Sequence, residues 1–317
     1  MSPSAQYYPI RLYNLVLDTV LDFDIYMKVE ECRYLLYRNR DLKFTQRHRD
    51  NLISHGIDTL YVSRKDKVAY SRYLECNIST IVNDPDIDEK EKADLIYTVS
   101  RNLVLEVLEN PRAGDIVKRT EQVTAPTVDF ILREKDALRH LISIMSYDYY
   151  TYTHSLNVCV FAVALAHHIG FFSRNELNDL ASGALLHDVG KSQVPKEILA
   201  KAGKLTAQEM DIVKTHVVLG EQLLADNARM TPSRILPLAL HHERMDGSGY
   251  PRGFRGNQIS LQGRIAAVVD CFDAMTTNRA YCSAISAFEA FRVMQTKGAE
   301  AYDQDLVASF IRLLNPA

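Results

Sequence analysis

After residue 150, seven residues of metal-binding type stand in a spacing suited to chemistry: His154, His187, Asp188, His216, His241, His242 and Asp270. His187-Asp188 closes an apolar helix pattern and runs directly into Val189-Gly190-Lys191. Five imidazoles and two carboxylates in this spacing are what a two-metal hydrolytic site needs. One carboxylate must bridge the ions while imidazoles complete each shell. A single buried histidine is more often a hydrogen-bonded core residue than a ligand. Here, however, all seven fall near helix ends or on helix faces among apolar neighbours. Buried there without a partner or an ion, they would carry a large desolvation penalty. The metal reading therefore prevails for this set. His48, His55, His140, His167 and His168 have no such frame and are read as surface or packing residues.

The elements that must position these groups are mostly helical. At 317 residues the chain can form two domains and a sizeable core. Its net charge is −3 and no Lys/Arg block appears, which argues against a polynucleotide-binding face. Cys32, Cys76, Cys159, Cys271 and Cys282 are scattered, without CxxC spacing, as in reduced cytoplasmic thiols. No apolar run reaches membrane-spanning length and Met1-Ser2-Pro3-Ser4 does not open a signal peptide, so a cytoplasmic protein is expected.

The expected fold class is α+β: a small N-terminal mixed α/β domain (1–80), a helical connector (81–137) and an all-α helical bundle (138–317). Segments Ile10 to Val16, Phe23 to Val29, Cys32 to Tyr37 and Thr59 to Val62 have strand composition. Thr45 can cap a helix that stops at Gly56, and a short helix is expected from Asp66 to Leu74. Glu89 to Leu108 reads as one amphipathic helix, and Gly114 to Tyr147 as further helix interrupted near Pro126. The apolar face of this connector is expected to be buried in a homodimer. Capping boxes are expected at Ser173/Glu176, Thr206/Glu209 and Ser286/Glu289, with Gly170 and Gly220 as punctuation, although more helical sequence follows Gly220. The Thr206 helix should carry His216, and Ser260 to Thr276 should carry Asp270 and Asp273 on one face. Asp303 to Leu314 closes the bundle.

The run Gly247-x-Gly249-Tyr250-Pro251 reads as a loop, since two glycines permit positive φ or close backbone approach and proline stops a helix. Together, His154, His187-Asp188-x-x-Lys191, His216, His241-His242-Glu243-Arg244 and Asp246-Gly247-Ser248-Gly249-Tyr250-Pro251 resemble the HD-GYP family of cyclic di-GMP phosphodiesterases. The resemblance continues through Val269-Asp270-Cys271-Phe272-Asp273-Ala274-Met275-Thr276-Thr277 to Arg279 and Tyr281, and covers roughly residues 140–315. Residues 1–80 carry no comparable signature.

The resemblance implies an HD-type bundle that linearises cyclic di-GMP to pGpG, with GMP as a further product. It implies that Asp188 bridges two divalent ions, with His154, His187 and Asp270 on one and His216, His241 and His242 on the other. A hydroxide between two such ions is a nucleophile at neutral pH. Lys191 would place its ammonium on a phosphate oxygen, while Gly249, Tyr250 and Arg279 would line the substrate site. Asp273 would orient a ligand or Arg279. A His-rich site bridged by oxygen and free of thiolate suits iron or manganese, tolerates zinc and argues against calcium.

Three departures from the family pattern stand out. Tyr150 replaces a glutamate that binds a third ion in some members, so two ions are expected. Arg279-Ala280-Tyr281-Cys282 lacks a second cation, and Met245 stands where an aromatic is frequent, removing a surface for guanine stacking. Hydrolysis of another cyclic dinucleotide, or a weakly active cyclic di-GMP-binding protein that signals through partners, are the alternative readings. Residues 1–80 would then receive a small ligand or a signalling protein.

Overall fold

The computed structural model describes residues 6–30, 33–112, 115–134, 136–145, 151–170, 172–201, 203–278 and 283–315. They form two compact units, Met1–Val99 and Ser100–Ala317.

The first unit contains β1 (Tyr7–Arg11), β2 (Thr19–Val20), β3 (Ile25–Glu30), β4 (Arg33–Arg38), β5 (Lys43–Phe44), α1 (Gln46–Ser54), β6 (Thr59–Ser63) and α2 (Lys67–Val82). The long helix α3 (Glu89–Glu109) begins in this unit, and the division falls inside it. The main sheet is antiparallel, in the order β1-β6-β3-β4, and β2 pairs with β5. Ile10, Ile25, Leu60 and Val62 are buried. Tyr7, Tyr26, Tyr34 and Tyr61 pack on one another across the four strands. The sheet of this small α/β unit is thus purely antiparallel.

The first strand lies earlier than composition indicated, and a 3-10 turn (Leu12–Asn14) follows it. Asn14 donates to the Tyr70 hydroxyl at 3.0 Å and the Val16 amide to the Tyr73 hydroxyl at 2.8 Å, which turns the chain from the sheet toward α2. The helix expected to end at Leu74 runs on to Val82, because Tyr70, Tyr73, Leu74, Ile78, Ile81 and Val82 continue one apolar stripe. Thr45 does cap α1, with His48 Nδ1 accepting from the Thr45 amide at 3.1 Å, and Gly56 follows at φ +69°.

The second unit is helical: α4 (Ile116–Arg133), α5 (Ala137–Ile144), α6 (Thr151–Ile169), α7 (Arg174–Leu185), α8 (Lys196–Leu199), α9 (Ala207–Lys214), α10 (His216–Leu224), α11 (Pro232–Leu240), α12 (Leu261–Thr276), α13 (Ala287–Thr296) and α14 (Gln304–Leu314). Helix α6 is buried on nearly every side from Leu156 to Ala166 and packs on α7, α12 and α14. A helix apolar all round belongs at the centre of its bundle.

Three expectations are corrected here. Helix α4 passes through Pro126 without a break. An internal proline costs about 3 kcal/mol, but Pro126, Val123, Val128 and Phe130 are buried, and α4 is held against α7, where Thr124 and Ser182 hydroxyls meet at 3.0 Å. The helix capped by Thr206 ends at Lys214, and His216 starts a new one after Thr215. The boxes at Ser173/Glu176 and Thr206/Glu209 are complete. At Ser286 only half forms, since the Glu289 carboxylate takes Arg292 instead. Among the described residues no helix is long and apolar enough to cross a membrane.

Candidate metal centre

Five helices and two turns bring the seven residues together. His154 stands on α6, His187-Asp188 follow α7, His216 opens α10, His241-His242 follow α11, and Asp270 lies on α12. His154, His187, His216, His241, Asp188 and Asp270 are buried, and His242 is half-buried.

The ring orientations are set by the backbone. His187, His216 and His241 each point Nδ1 at the carbonyl three residues earlier: Ala184 at 2.8 Å, Val213 at 2.7 Å and Leu238 at 2.8 Å. A carbonyl only accepts, so Nδ1 carries the proton and Nε2 presents a bare lone pair. His154 uses a carboxylate for the same purpose, with Nδ1 2.7 Å from Asp273 Oδ2. Asn157, one turn further along α6, donates to Asp273 Oδ1 at 2.8 Å and fixes that carboxylate.

Asp188 sits between two sets of these nitrogens. Its Oδ2 is 3.4 Å from His187 Nε2 and 3.8 Å from His154 Nε2. Its Oδ1 is 3.3 Å from His216 Nε2 and 4.0 Å from His241 Nε2. That Oδ1 is buried and accepts no hydrogen bond. Lone pairs of His216, His241 and Asp188 thus converge on one point, and this is unfavourable unless a cation sits among them. Two groups could each hold an ion, His154/His187/Asp188 and His216/His241/His242. Asp270 reaches toward both, with Oδ1 3.0 Å from His154 Nε2 and Oδ2 3.8 Å from His242 Nδ1.

The electrostatics keep Asp188, Asp270, His216, His241 and His242 in their ligand form. Burial pushes the Asp188 carboxyl up, but Lys191, His187 and His216 outweigh it and hold it well below the usual carboxylate range. Burial likewise opposes ionisation of Asp270, and His154, His242 and His241 together hold it well below. Burial, with neighbouring imidazoles, keeps His241 and His242 well below the ordinary histidine value. For His216 burial outweighs the attraction of Asp188, and its value is lowered too. Neutral imidazole beside ionised carboxylate is the donor set that a hard or borderline divalent cation takes.

At the rim, Lys191 Nζ lies 2.5 Å from Asp188 Oδ2, with 17 % of its side chain exposed. The loop after His242 closes the other side. A Cβ on Gly249 would come within 2.5 Å of the His242, Glu243 and Arg244 backbone, so only glycine lets the loop pass. The cis-linked Tyr250-Pro251 follows, and the Tyr250 ring stacks on His242 at 4.6 Å.

A scan against family models matches the HD domain over residues 160–306. The chain is 35 % identical over 230 residues to a cyclic di-GMP phosphodiesterase of Pseudomonas aeruginosa, covering 71 % of this chain and 54 % of that protein. It is 32 % identical over 219 residues to a cyclic di-GMP phosphodiesterase of Thermotoga maritima, covering 67 % of this chain and 59 % of that one. It is also 36 % identical over 168 residues to a 3′3′-cGAMP-specific phosphodiesterase of Vibrio cholerae, covering 52 % of this chain and 36 % of the relative. The chain belongs to the HD-GYP family. Among solved structures, an HDG"Y"P protein from Bdellovibrio bacteriovorus shares the fold, with TM-score 0.67, 23 % identity and coverage of 97 % and 99 % of the two chains. This HD-GYP chain spans little more than half the length of the first two curated relatives.

The sequence alone assigned no role to three residues that hold the centre. Asn157 was passed over, though it stands three positions after His154 on a helix, where side chains share a face. Buried Glu243 receives the Arg252 amide at 2.7 Å and the Phe254 amide at 3.0 Å and so pins the loop that carries Tyr250. Its signal was a carboxylate inside an otherwise apolar and histidine stretch. Gly190 packs against the His216 carbonyl and leaves no room for a side chain. Met245 packs with Ala239, Leu240 and Ile259. Arg279, Tyr281 and Tyr150 lie outside the described residues.

Proposed function

We propose that this chain is a metal-dependent phosphodiesterase that opens cyclic di-GMP to pGpG, and by a second cut yields GMP. The observation that carries the reading is Asp188, whose two oxygens face two separate histidine groups. Two divalent ions held there, iron or alternatively manganese, with zinc tolerated, would activate water at neutral pH and offset phosphate charge. His154, His187 and Asp188 would hold one, and His216, His241 and His242 the other, with Asp270 placed to reach either. Asp273 and Asn157 keep His154 turned inward.

Lys191 is the residue that meets a non-bridging phosphate oxygen and stabilises charge as it develops. Burial and the negative charge of Asp270 push the Tyr250 phenol up, so it stays an O–H donor for the substrate. Gly249 lets that loop lie against the centre, and Arg279 serves as a further substrate contact. The 3′3′-cGAMP-specific relative favours a second reading, in which a hybrid cyclic dinucleotide is also cleaved. We assign residues 1–80 to regulation, 81–137 to a connector that pairs two chains, and 138–317 to catalysis in the cytoplasm.

The test is chromatography of products from cyclic di-GMP, 3′3′-cGAMP and cyclic di-AMP, with the chain loaded with Fe(II) or Mn(II). Linear dinucleotide is expected. Lys191→Ala should keep its metals and lose roughly 10²–10³ in turnover. No linear product from any of the three with either metal would overturn the proposal.

A further inference from the structure

The ring of Tyr250 has two close neighbours. His242 stacks against it at 4.6 Å and 28°, and Lys214 Nζ stands over the ring at 5.7 Å from the centroid. Because the Tyr250 ring stacks on His242, it lies beside the centre. The other end of the arrangement is a cation. Lys214 is the last residue of α9, two positions before His216, which fixes its backbone to the centre. Its ammonium makes an exposed ion pair with Asp211 at 3.3 Å, with 42 % of the lysine side chain and 74 % of the aspartate side chain open to solvent. Such a pair is worth little and is readily exchanged for a better anion.

Lys191 and Lys214 thus stand as two ammonium groups at the centre, one against Asp188 and one over the Tyr250 ring. A cyclic dinucleotide carries two phosphodiesters, and hydrolysis engages only one. We propose that Lys214 binds the phosphate that is not cleaved. This rests on the phosphodiesterase reading above and deepens it: the centre selects substrates with a second phosphate. Binding led by phosphate would serve cyclic dinucleotides that differ in their bases.

The experiment uses the full metal-loaded chain with Lys214→Met, which keeps length and removes charge, and Lys214→Arg. Steady-state kinetics are compared on cyclic di-GMP and on bis(p-nitrophenyl) phosphate, a diester with no second phosphate. Lys214→Met should raise KM for cyclic di-GMP by roughly tenfold, the size of one charge-assisted contact. Its kcat/KM on the small diester should fall far less, and Lys214→Arg should restore the lower KM. Added salt should weaken cyclic di-GMP binding less in the methionine variant than in the wild type. An unchanged KM, or equal losses on both substrates, would overturn the assignment, since equal losses mean that Lys214 only positions Tyr250. A wild-type chain that cleaves the small diester but neither binds nor cleaves cyclic dinucleotides would overturn the underlying reading as well.

Discussion

Replacing Gly190 with alanine should dismantle the centre without replacing any of its candidate ligands. Gly190 lies in the 3-10 turn Val189–Gln193 that follows Asp188 and packs on α10. An alanine Cβ there would sit 1.8 Å from the His216 carbonyl oxygen, 2.5 Å from the Gly220 amide nitrogen and 2.8 Å from the His216 carbonyl carbon. All three are backbone atoms, so no rotamer change relieves the clash. Ordinary contact begins near 3.4 Å, and the turn and α10 must part by about 1.6 Å. Metal–ligand distances hold to about 0.2 Å, so the His216 side of the centre cannot survive the shift together with Asp188. Overpacking of this kind costs roughly 1–3 kcal/mol, which lowers Tm by about 2–12 °C for a unit of this size. A 1 Å misplacement at reacting groups costs about 10²-fold in rate. Metal analysis, calorimetry and turnover on one preparation would test this. Gly190→Ala with wild-type metal content and activity would refute the packing argument.

Asp273→Asn should weaken metal binding about 10- to 100-fold, because the amide no longer holds the His154 Nδ1 proton as a carboxylate does, while the bundle stays folded. Metal titration followed by near-UV dichroism would show it, and unchanged affinity would count against the role of Asp273. Burial pushes the Cys159 thiol up to about 12. At pH 8 only about one part in 10⁴ is then thiolate, so native protein should alkylate at exposed Cys76 and spare Cys159, as read by peptide mass spectrometry.

The clustering of the histidine series was legible because each candidate ligand sits at a helix end or on a helix face, where type and spacing survive as pattern. Asp270 and Asp273 at i, i+3 were legible for the same reason, and His154 indeed meets both carboxylates. What escaped depends on packing across the chain. The uninterrupted α4 follows from burial of Pro126 against α7, which no local rule contains. The early end of β1 follows from hydroxyls on Tyr70 and Tyr73 more than fifty residues away. The short strands β2 and β5, of two residues each, leave no periodicity to read. Glu243 could be seen as a carboxylate in the wrong company, but its amide partners come only from the folded loop.

The central claim is that Asp188 joins two metal ions in one hydrolytic centre, and metal stoichiometry of Asp188→Ala tests it most directly. Wild-type chain reconstituted with iron or manganese should hold two ions and cleave cyclic di-GMP, whereas Asp188→Ala should lose metal and all measurable hydrolysis. A variant that keeps both ions would contradict the account, because each of its oxygens is the one that faces its own histidine group.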